Sequence, residues 1–264
     1  MRYSTHRLAS FTAALLLSLA VHAGTPARAA EPLRIGIITD MSGQYSDGNG
    51  AGSVAAARLA VADFGGSVLG RPIEVVYADH QNKPDVAAGI VRQWLDTGGV
   101  DVVAEGVNST VALAVQGVTR ERGRIFLISG AGTSDLTGKE CSPTSVQWTY
   151  DTYASANATA KTLVGMGGKT WFFLTADYAF GQALQRDATA AVLAAGGTVV
   201  GSVMISERQG SGFGYGLTAI PVRPAAQNPP GSTPQDVEAV RLGRIAAFLH
   251  DDLADAGVGR AGAA

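Results

Sequence analysis

The chain has 264 residues, of which 46% are apolar and 16% are charged, and its formal net charge is -2. An apolar fraction this large supports a folded core and excludes disorder as a description of the whole chain. The single cysteine excludes an internal disulfide framework and a cysteine-based zinc cluster. The weak negative charge provides no basic field for nucleic acid, and two of the four histidines lie in the first thirty residues. We therefore expect neither a metal site nor a nucleic-acid partner.

Residues 1–29 have the layout of a secretory signal peptide. Arg2 and Arg7 give a positive start, residues 11–21 form an apolar run, and Ala27 and Ala29 form a small-x-small cleavage pattern. The apolar run is too short for a membrane-spanning helix, although an uncleaved anchor or a buried helix is the alternative. We expect the rest of the chain to be exported and not to span a membrane.

Strand and helix patterns alternate through the middle of the chain. Short β-branched runs predict strands, and Ala-rich or amphipathic runs predict helices, while the Gly-, Ser- and Asp-rich residues 40–52 predict a loop. This alternation is typical of an α/β protein with a doubly wound parallel sheet covered by helices on both faces. The predicted strands are 33–39, 73–78, 100–104, 125–129, 170–175 and 198–203, and the predicted helices are 54–64, 84–95, 109–122, 150–166 and 180–195.

Loops at the carboxyl ends of parallel strands carry the ligand site in such folds. Here these loops are rich in hydroxyl, amide and glycine residues, as in Asn108-Ser109-Thr110 and in residues 129–134 (SGAGTS). Asn108 and Ser109 suit a helix N-cap, and the same helix start suits an anion such as a carboxylate. The two roles are compatible. The acids Asp40, Asp79 and Glu105 are either ligand contacts or loop residues, and the sequence defines no carboxylate pair among them. We interpret His80 as a loop residue.

An exported enzyme with a Rossmann-like fold is the competing interpretation. Gly50-Ala51-Gly52-Ser53-Val54-Ala55 matches a relaxed dinucleotide-binding pattern, but its first glycine lies eleven residues after the end of the predicted strand at Thr39. The dinucleotide fingerprint needs a tight turn directly from strand to helix. No G-x-S-x-G hydrolase motif occurs. We therefore expect no enzymatic activity, neither dehydrogenase nor hydrolase, and no cofactor.

The strand–helix rhythm stops near residue 205. Residues 206–264 hold half of the ten prolines and include a glycine-rich stretch at 209–216, and residues 237–253 have the pattern of one amphipathic helix. The segment is either a natural linker followed by a helix or the product of a frameshift. We expect it to be disordered or to carry one helix.

Several ordered motifs between residues 32 and 203 resemble one protein family. They are residues 33–43 (LRIGIITDMSG), 69–74 (LGRPIE), 105–113, 128–134 (ISGAGTS), 148–153 (WTYDTY) and 177–181 (DYAFG). Together they are similar to the Leu/Ile/Val-type branched-chain amino-acid binding proteins of ABC importers. The resemblance implies a type I periplasmic binding protein fold, with a first α/β lobe at residues 30–149 and part of a second lobe at 150–205.

The resemblance also implies a function. Members capture a small carboxylate or amino acid, here branched-chain or aromatic, in the periplasm and pass it to a membrane permease. A periplasmic sensor domain with the same fold is an alternative. The later acidic residue that binds the ligand's ammonium in the amino-acid receptors has no recognisable counterpart here. We therefore expect a truncated or frame-shifted receptor with weak or absent ligand binding.

The resemblance assigns candidate ligand-binding residues. Positions that hold the ligand's carboxylate match Ser109, with Asn108 beside it, and Thr133, with Gly132 beside it.

Three aromatic residues complete the implied site. Tyr45 lies in the loop that covers the ligand's side chain, and Tyr150 and Tyr178 match positions of the second lobe that face the cleft. Phe180 is the alternative to Tyr178 as the matching aromatic residue.

Overall fold

The structure, a computed structural model, describes residues 30–205. The predicted signal peptide and the segment 206–264 lie outside the described residues. A larger unit, residues 33–147, contains six strands, three α-helices and one 3-10 helix. In chain order its elements are β1 Leu33–Thr39, α1 Gly50–Asp63, β2 Ser67–Val68, β3 Arg71–Asp79, α2 Pro84–Asp96, β4 Val102–Glu105, α3 Ser109–Glu121, β5 Ile125–Ile128, a 3-10 helix Ser134–Leu136 and β6 Ser145–Gln147.

A smaller unit, residues 152–205, follows. Its elements are α4 Thr152–Gly165, β7 Thr170–Ala176, α5 Ala179–Ala194 and β8 Thr198–Ile205. The strands β7 and β8 pair in parallel and form a separate two-stranded sheet.

The sheet of the larger unit has the order β2-β3-β1-β4-β5-β6. All neighbouring strands pair in parallel except the short β2, which is antiparallel to β3. Because the strands are parallel, the carboxyl ends of β1, β3, β4 and β5 lie at one edge of the sheet. The predicted α/β class with a mostly parallel sheet is therefore confirmed.

The core of the larger unit lies between its sheet and the helices α2 and α3. Phe126 and Ile38 from the strands are fully buried against Val91 of α2 and Val115 of α3. On the middle strand Gly36 allows a close approach, since a Cβ there would lie 2.7 Å from the Trp94 ring. Burial of each large side chain contributes roughly 1.5–3 kcal/mol to the free energy of folding. The cluster therefore stabilises the sheet and, with it, the position of the strand ends.

Helix boundaries agree with the sequence signals at most positions. Pro84 opens α2 in the first turn, where its missing N–H costs nothing. Gly123 and Gly196, which follow α3 and α5, have φ angles of 60° and 84°. This is the left-handed conformation that favours glycine at a helix C-terminus.

One local prediction was wrong, and one strand was not predicted. Residues 40–52 were expected to be a loop, but α1 begins at Gly50, whose backbone N–H donates to the Thr39 hydroxyl at 3.1 Å. The polar residues 145–147 form β6, which pairs with β5. In both cases a partner distant in sequence satisfies the backbone, and local composition carries no signal for that partner.

The two units are joined by a buried carboxylate. Asp187 of α5 accepts hydrogen bonds from the hydroxyls of Ser134 and Thr152, each at 2.7 Å, and it is 9% exposed. Arg186 adds an ion pair to Asp135 of the larger unit at 2.9 Å. Hydrogen bonds with a charged partner are the stronger ones, so this network holds α5 against the 3-10 helix.

Among residues 30–205, no helix is both long enough and apolar enough to cross a bilayer.

Candidate functional site

The candidate site lies at the carboxyl edge of the larger sheet. There the chain leaves β4 at Glu105 and enters α3 at Ser109, and the neighbouring β5 ends at Ile128. Ligand sites of open α/β sheets form at this edge because its loops converge there.

Asn108 is the N-cap of α3. Its Oδ1 accepts the backbone N–H groups of Thr110 at 2.7 Å and Val111 at 3.3 Å. The capping role that the sequence left open between Asn108 and Ser109 therefore falls to Asn108.

Ser109 is not the capping residue, and its hydroxyl makes a different contact. Its Oγ accepts the backbone N–H of Thr133 at 3.2 Å, so its own hydroxyl proton can donate elsewhere. Ser109 is also the first residue of α3, where the helix dipole gives a positive potential. A hydroxyl donor at a helix N-terminus suits an anion.

Asp40 stabilises the loop that carries Tyr45. The Asp40 carboxylate accepts the N–H groups of Gly43 at 2.7 Å and Tyr45 at 3.0 Å. The Tyr45 hydroxyl in turn accepts from Nδ2 of Asn108 at 3.4 Å. The loop after β1 is thereby fastened to the start of α3.

The smaller unit and the segment that leads into it contribute a set of aromatic rings. Tyr150 and Phe180 meet edge to face with their ring centroids 6.3 Å apart, and Tyr178 and Phe180 stack at 6.1 Å. Such geometries add to the stabilisation from burial alone.

Gly132 lets these rings approach the larger unit. A Cβ at Gly132 would lie 2.9 Å from Cε2 of Tyr150 and 3.0 Å from Cε2 of Phe180. Its carbonyl also accepts the N–H of Thr152 at 2.8 Å. A larger residue at position 132 would push the two units apart.

These groups enclose a cavity of about 230 Å³ between the two units, which we call the aromatic cavity. This volume is below the roughly 300–1,000 Å³ of sites for drug-sized ligands, so the cavity suits a small molecule. Four aromatic residues and Ser109 line it, and none of its lining residues in the described part of the chain is charged. The lining residues are Tyr45, Asn49, Val107, Ser109, Gly130, Gly132, Tyr150, Tyr178 and Phe180.

A second, larger cavity of about 470 Å³ lies beside the contact between the units. Its charged lining groups already have partners: Asp135 pairs with Lys139 at 3.2 Å and with Arg186 at 2.9 Å, and Asp151 caps α4. The aromatic cavity is the better candidate for a ligand site, since it lies where the carboxyl ends of β4 and β5 meet the start of α3.

Residues 32–214 match the sequence profile of a family described as periplasmic binding protein. The match covers most of the chain. The chain belongs to the periplasmic binding protein family.

Solved structures of this family are similar to the chain. A periplasmic binding protein from Burkholderia mallei shares 51% sequence identity, with a TM-score of 0.65, over 67% of this chain and 47% of that one. A branched-chain amino acid ABC transporter periplasmic ligand-binding protein from Burkholderia xenovorans LB400 shares 36%, with a TM-score of 0.58, over 66% and 46%.

A third structure shows a bound ligand. It is a solute binding protein of an ABC transporter from R. palustris in complex with benzoate, 25% identical, with a TM-score of 0.59, over 66% of this chain and 48% of that one. The chain thus spans about half the length of these solved structures. A search of the curated proteins found no match.

The structure brings most of the site residues predicted for this periplasmic binding protein together. Tyr45, Ser109, Gly132, Tyr150 and Tyr178 all line the aromatic cavity. Phe180, the alternative to Tyr178, lines it as well, so both aromatic positions face the same space.

Asn108 and Thr133 do not line the aromatic cavity, but they contact residues that do. Asn108 is 5% exposed and Thr133 is fully buried. Thr133 uses its Oγ1 to accept the N–H of Asp135 at 3.3 Å and its backbone N–H to reach Ser109. In this structure both residues position Ser109 and Tyr45, and neither is a lining residue.

Sequence reasoning missed the wall residues Asn49, Val107 and Gly130. It also found no carboxylate pair, whereas the structure places Asp40 close enough to Glu105 for their charges to interact. The position of both acids directly after predicted strands was present in the sequence. Their burial, with Asp40 fully buried and Glu105 3% exposed, was not.

Proposed function

We propose that this chain belongs to the ligand-binding component of an ABC importer and captures a small carboxylate with a flat, apolar body. One observation carries the proposal. The lining of the aromatic cavity combines Ser109, at a helix N-terminus, with four aromatic residues and no charged residue among those described.

The polar and the aromatic parts of the cavity lining suit the carboxylate and the apolar body of such a ligand. The start of α3 and the Ser109 hydroxyl favour a carboxylate. The rings of Tyr45, Tyr150 and Phe180 offer an apolar surface to an aromatic or aliphatic body. The R. palustris relative binds benzoate, which has this composition.

An α-amino acid is the second candidate, supported by the name of the Burkholderia xenovorans relative. Its ammonium group needs an acceptor, preferably a carboxylate. No acidic side chain lines the aromatic cavity within residues 30–205. The described residues therefore favour an aromatic carboxylate over a branched-chain amino acid.

Location and partner complete the proposal. Periplasmic binding proteins of ABC transporters deliver their ligand to a membrane permease, and we propose the same partner here. Export to the periplasm depends on the signal pattern in residues 1–29, which lies outside the described residues.

A thermal-shift experiment tests the ligand class. Benzoate at a hundred times its Kd should add about 2.7 kcal/mol to the free energy of unfolding, whereas the neutral isostere benzamide should add little. L-leucine serves as the competing ligand. Stabilisation by L-leucine but not benzoate refutes the preference for an aromatic carboxylate, and no response to any carboxylate refutes the proposed function.

Two serine variants localise the site. Ser109→Ala should weaken benzoate binding by about tenfold or more, because a hydrogen bond to a charged group is lost. Ser202→Ala removes an exposed hydroxyl on β8, away from the aromatic cavity, and should leave the affinity unchanged. Equal affinities of the two variants would place the carboxylate elsewhere.

A further inference from the structure

Several polar side chains are buried beneath the aromatic cavity without lining it. Thr39, Asp40 and His80 are fully buried, and Glu105 is 3% exposed. They follow or end the strands β1, β3 and β4. We call these four residues the buried polar cluster. Burial of ionisable groups is costly unless they are paired or neutral, so the cluster calls for an explanation.

Glu105 has an unusual conformation at the end of β4. Its φ angle is 90°, a left-handed value that is strained for a residue with a side chain. This conformation turns Oε2 toward the backbone N–H groups of Gly106 at 2.6 Å and Val107 at 3.2 Å. Oε1 has no hydrogen-bond partner among the described residues.

Oε1 lies directly behind the cavity wall. A Cβ built on Gly130 would lie 3.4 Å from Oε1 of Glu105, and Gly130 and Val107 both line the aromatic cavity. The same Cβ would lie 3.2 Å from Cβ of Val107, so Oε1 lies beside two residues of the cavity wall.

The charges around Glu105 are mostly negative. From the end of β1 comes Asp40, whose carboxylate holds the Tyr45 loop, and from the end of β3 come Asp79 and His80. The strand β5 (IFLI) and the first turns of α1 (GAGS) and α3 (STVA) contain no charged residue. The phenols of Tyr45, Tyr150 and Tyr178 are the titratable groups on the cavity side.

The protonation of the cluster follows from this arrangement. Burial is the main cause that raises the pKa of Glu105 to about 7, and the charge of Asp40 raises it further, against the backbone N–H groups of Gly106 and Val107 and the side chain of Thr39. Burial lowers the pKa of His80, against the charges of Asp40 and Asp79. His80 uses Nδ1 to accept the N–H of Asn82 at 3.0 Å, so it is held neutral.

Resting on the proposed function, we infer that Glu105 is a specificity-determining residue that must hold a proton on Oε1 while a carboxylate occupies the aromatic cavity. An ionised Glu105 behind the wall would repel the ligand's charge, and the low dielectric of a buried site strengthens that repulsion. The proton comes from solvent and binds Oε1, and no other bond forms or breaks. Binding of a carboxylate above neutral pH therefore takes up one proton.

Calorimetry of benzoate binding to the full chain tests this inference. Titrations from pH 5.5 to 8.5 in buffers with different ionisation enthalpies count the protons taken up. We expect no uptake well below pH 7, an uptake approaching one proton near pH 8, and a Kd that rises by up to about tenfold per pH unit above neutrality. No uptake, with a Kd independent of pH, overturns the inference.

Variants and spectroscopy identify the group. Glu105→Gln is a neutral isostere and should bind benzoate with a Kd that no longer depends on pH. The control Glu74→Gln removes an exposed acid paired with Arg34 and should keep the wild-type profile. Retention of that profile in Glu105→Gln overturns the inference.

A measurement on the unmodified chain covers the case in which Glu105→Gln does not fold. The infrared difference spectrum on adding benzoate at pH 8 should gain the carbonyl band of a protonated carboxylic acid. A histidine signal in its place overturns the assignment to Glu105. Absence of benzoate binding even at pH 5.5 contradicts the proposed function, whereas binding without proton uptake contradicts only the role of Glu105.

Discussion

The larger and smaller units are built from the same strand–helix repeat but bury their strands to different extents. In the larger unit the middle strand β1 has neighbours on both sides, and its last four residues are buried. In the smaller unit β7 is buried at five of its seven residues, whereas none of the eight residues of β8 is buried. A regular sequence pattern is therefore not enough to predict burial, which depends on how many strands and helices assemble.

Both units have strands with exposed apolar residues. On β8 the side chains of Val203, Met204 and Ile205 are between 38% and 48% exposed. In the larger unit comparable exposure is found at Leu127 of β5, Val146 of β6 and Tyr77 of β3. The described part of the smaller unit thus relies on the helix pair α4 and α5, and on its contact with the larger unit, for much of its stability.

The largest expected effect comes from matched core substitutions in the two units. Phe126 and Phe173 are both fully buried, and Phe→Ala in a core typically costs about 3–5 kcal/mol. Phe126→Ala should lower the free energy of unfolding of the whole chain, because it opens the core that carries the site. Phe173→Ala should release the smaller unit first.

Hydrogen exchange followed by mass spectrometry distinguishes the two outcomes. In Phe173→Ala, loss of protection should be confined to residues 152–205, and α2 and α3 should stay protected. Equal loss of protection in both units would show that they unfold together and that the smaller unit does not open separately.

A smaller effect, dependent on pH, is expected at Glu105. In the unfolded chain its carboxyl releases its proton near the ordinary value of 4.5, whereas in the folded chain the pKa is about 7. Folding therefore becomes less favourable as pH rises from about 4.5 to 7, by on the order of 3 kcal/mol in total, and the loss persists above pH 7.

Urea unfolding at pH 5 and pH 8 measures this pH-dependent contribution to the free energy of unfolding. Glu105→Gln removes it, so the variant should gain stability relative to wild type at pH 8 and gain little at pH 5. The exposed Glu74→Gln should show no such difference. Identical pH profiles for wild type and Glu105→Gln would refute the burial of an ionisable carboxyl at this position.

The smallest of the three effects is expected at the contact between the units. Asp187→Ala leaves the hydroxyls of Ser134 and Thr152 without their acceptor, which should cost about 1–3 kcal/mol. Asp177→Ala, at an exposed position of the same unit, should stay within about 0.5 kcal/mol of wild type. Urea unfolding compares the two, and an equal effect would argue against a stabilising role for the contact.

The parallel sheet and most helices could be predicted because their signals are local. Alternating apolar runs, Pro84 at a helix start and glycine at helix ends act within a few residues. The start of α1 at Gly50 could not be predicted, since it depends on the hydroxyl of Thr39, eleven residues away. The strand β6 depends on pairing with β5 and has a polar composition.

The site was partly predictable for the same reason. Ser109 was a candidate because a hydroxyl at a helix start has local chemistry that suits an anion. Asn108 contacts Tyr45, which is 63 residues away in the sequence, and Glu105 lies beside Gly130. Both contacts depend on tertiary structure and leave no local signal in the sequence. Resemblance to a family supplied Tyr45 and Tyr150, but it did not indicate that Thr133 is fully buried.

The only cysteine in the sequence, Cys141, has an exposed and unpaired thiol. It lies two residues after Lys139, whose ammonium pairs with Asp135 beside the junction of the two units. A maleimide dye would therefore attach at one defined position without prior mutagenesis. Its emission would report on movement at that junction, which makes the unaltered chain its own optical sensor for ligand titrations.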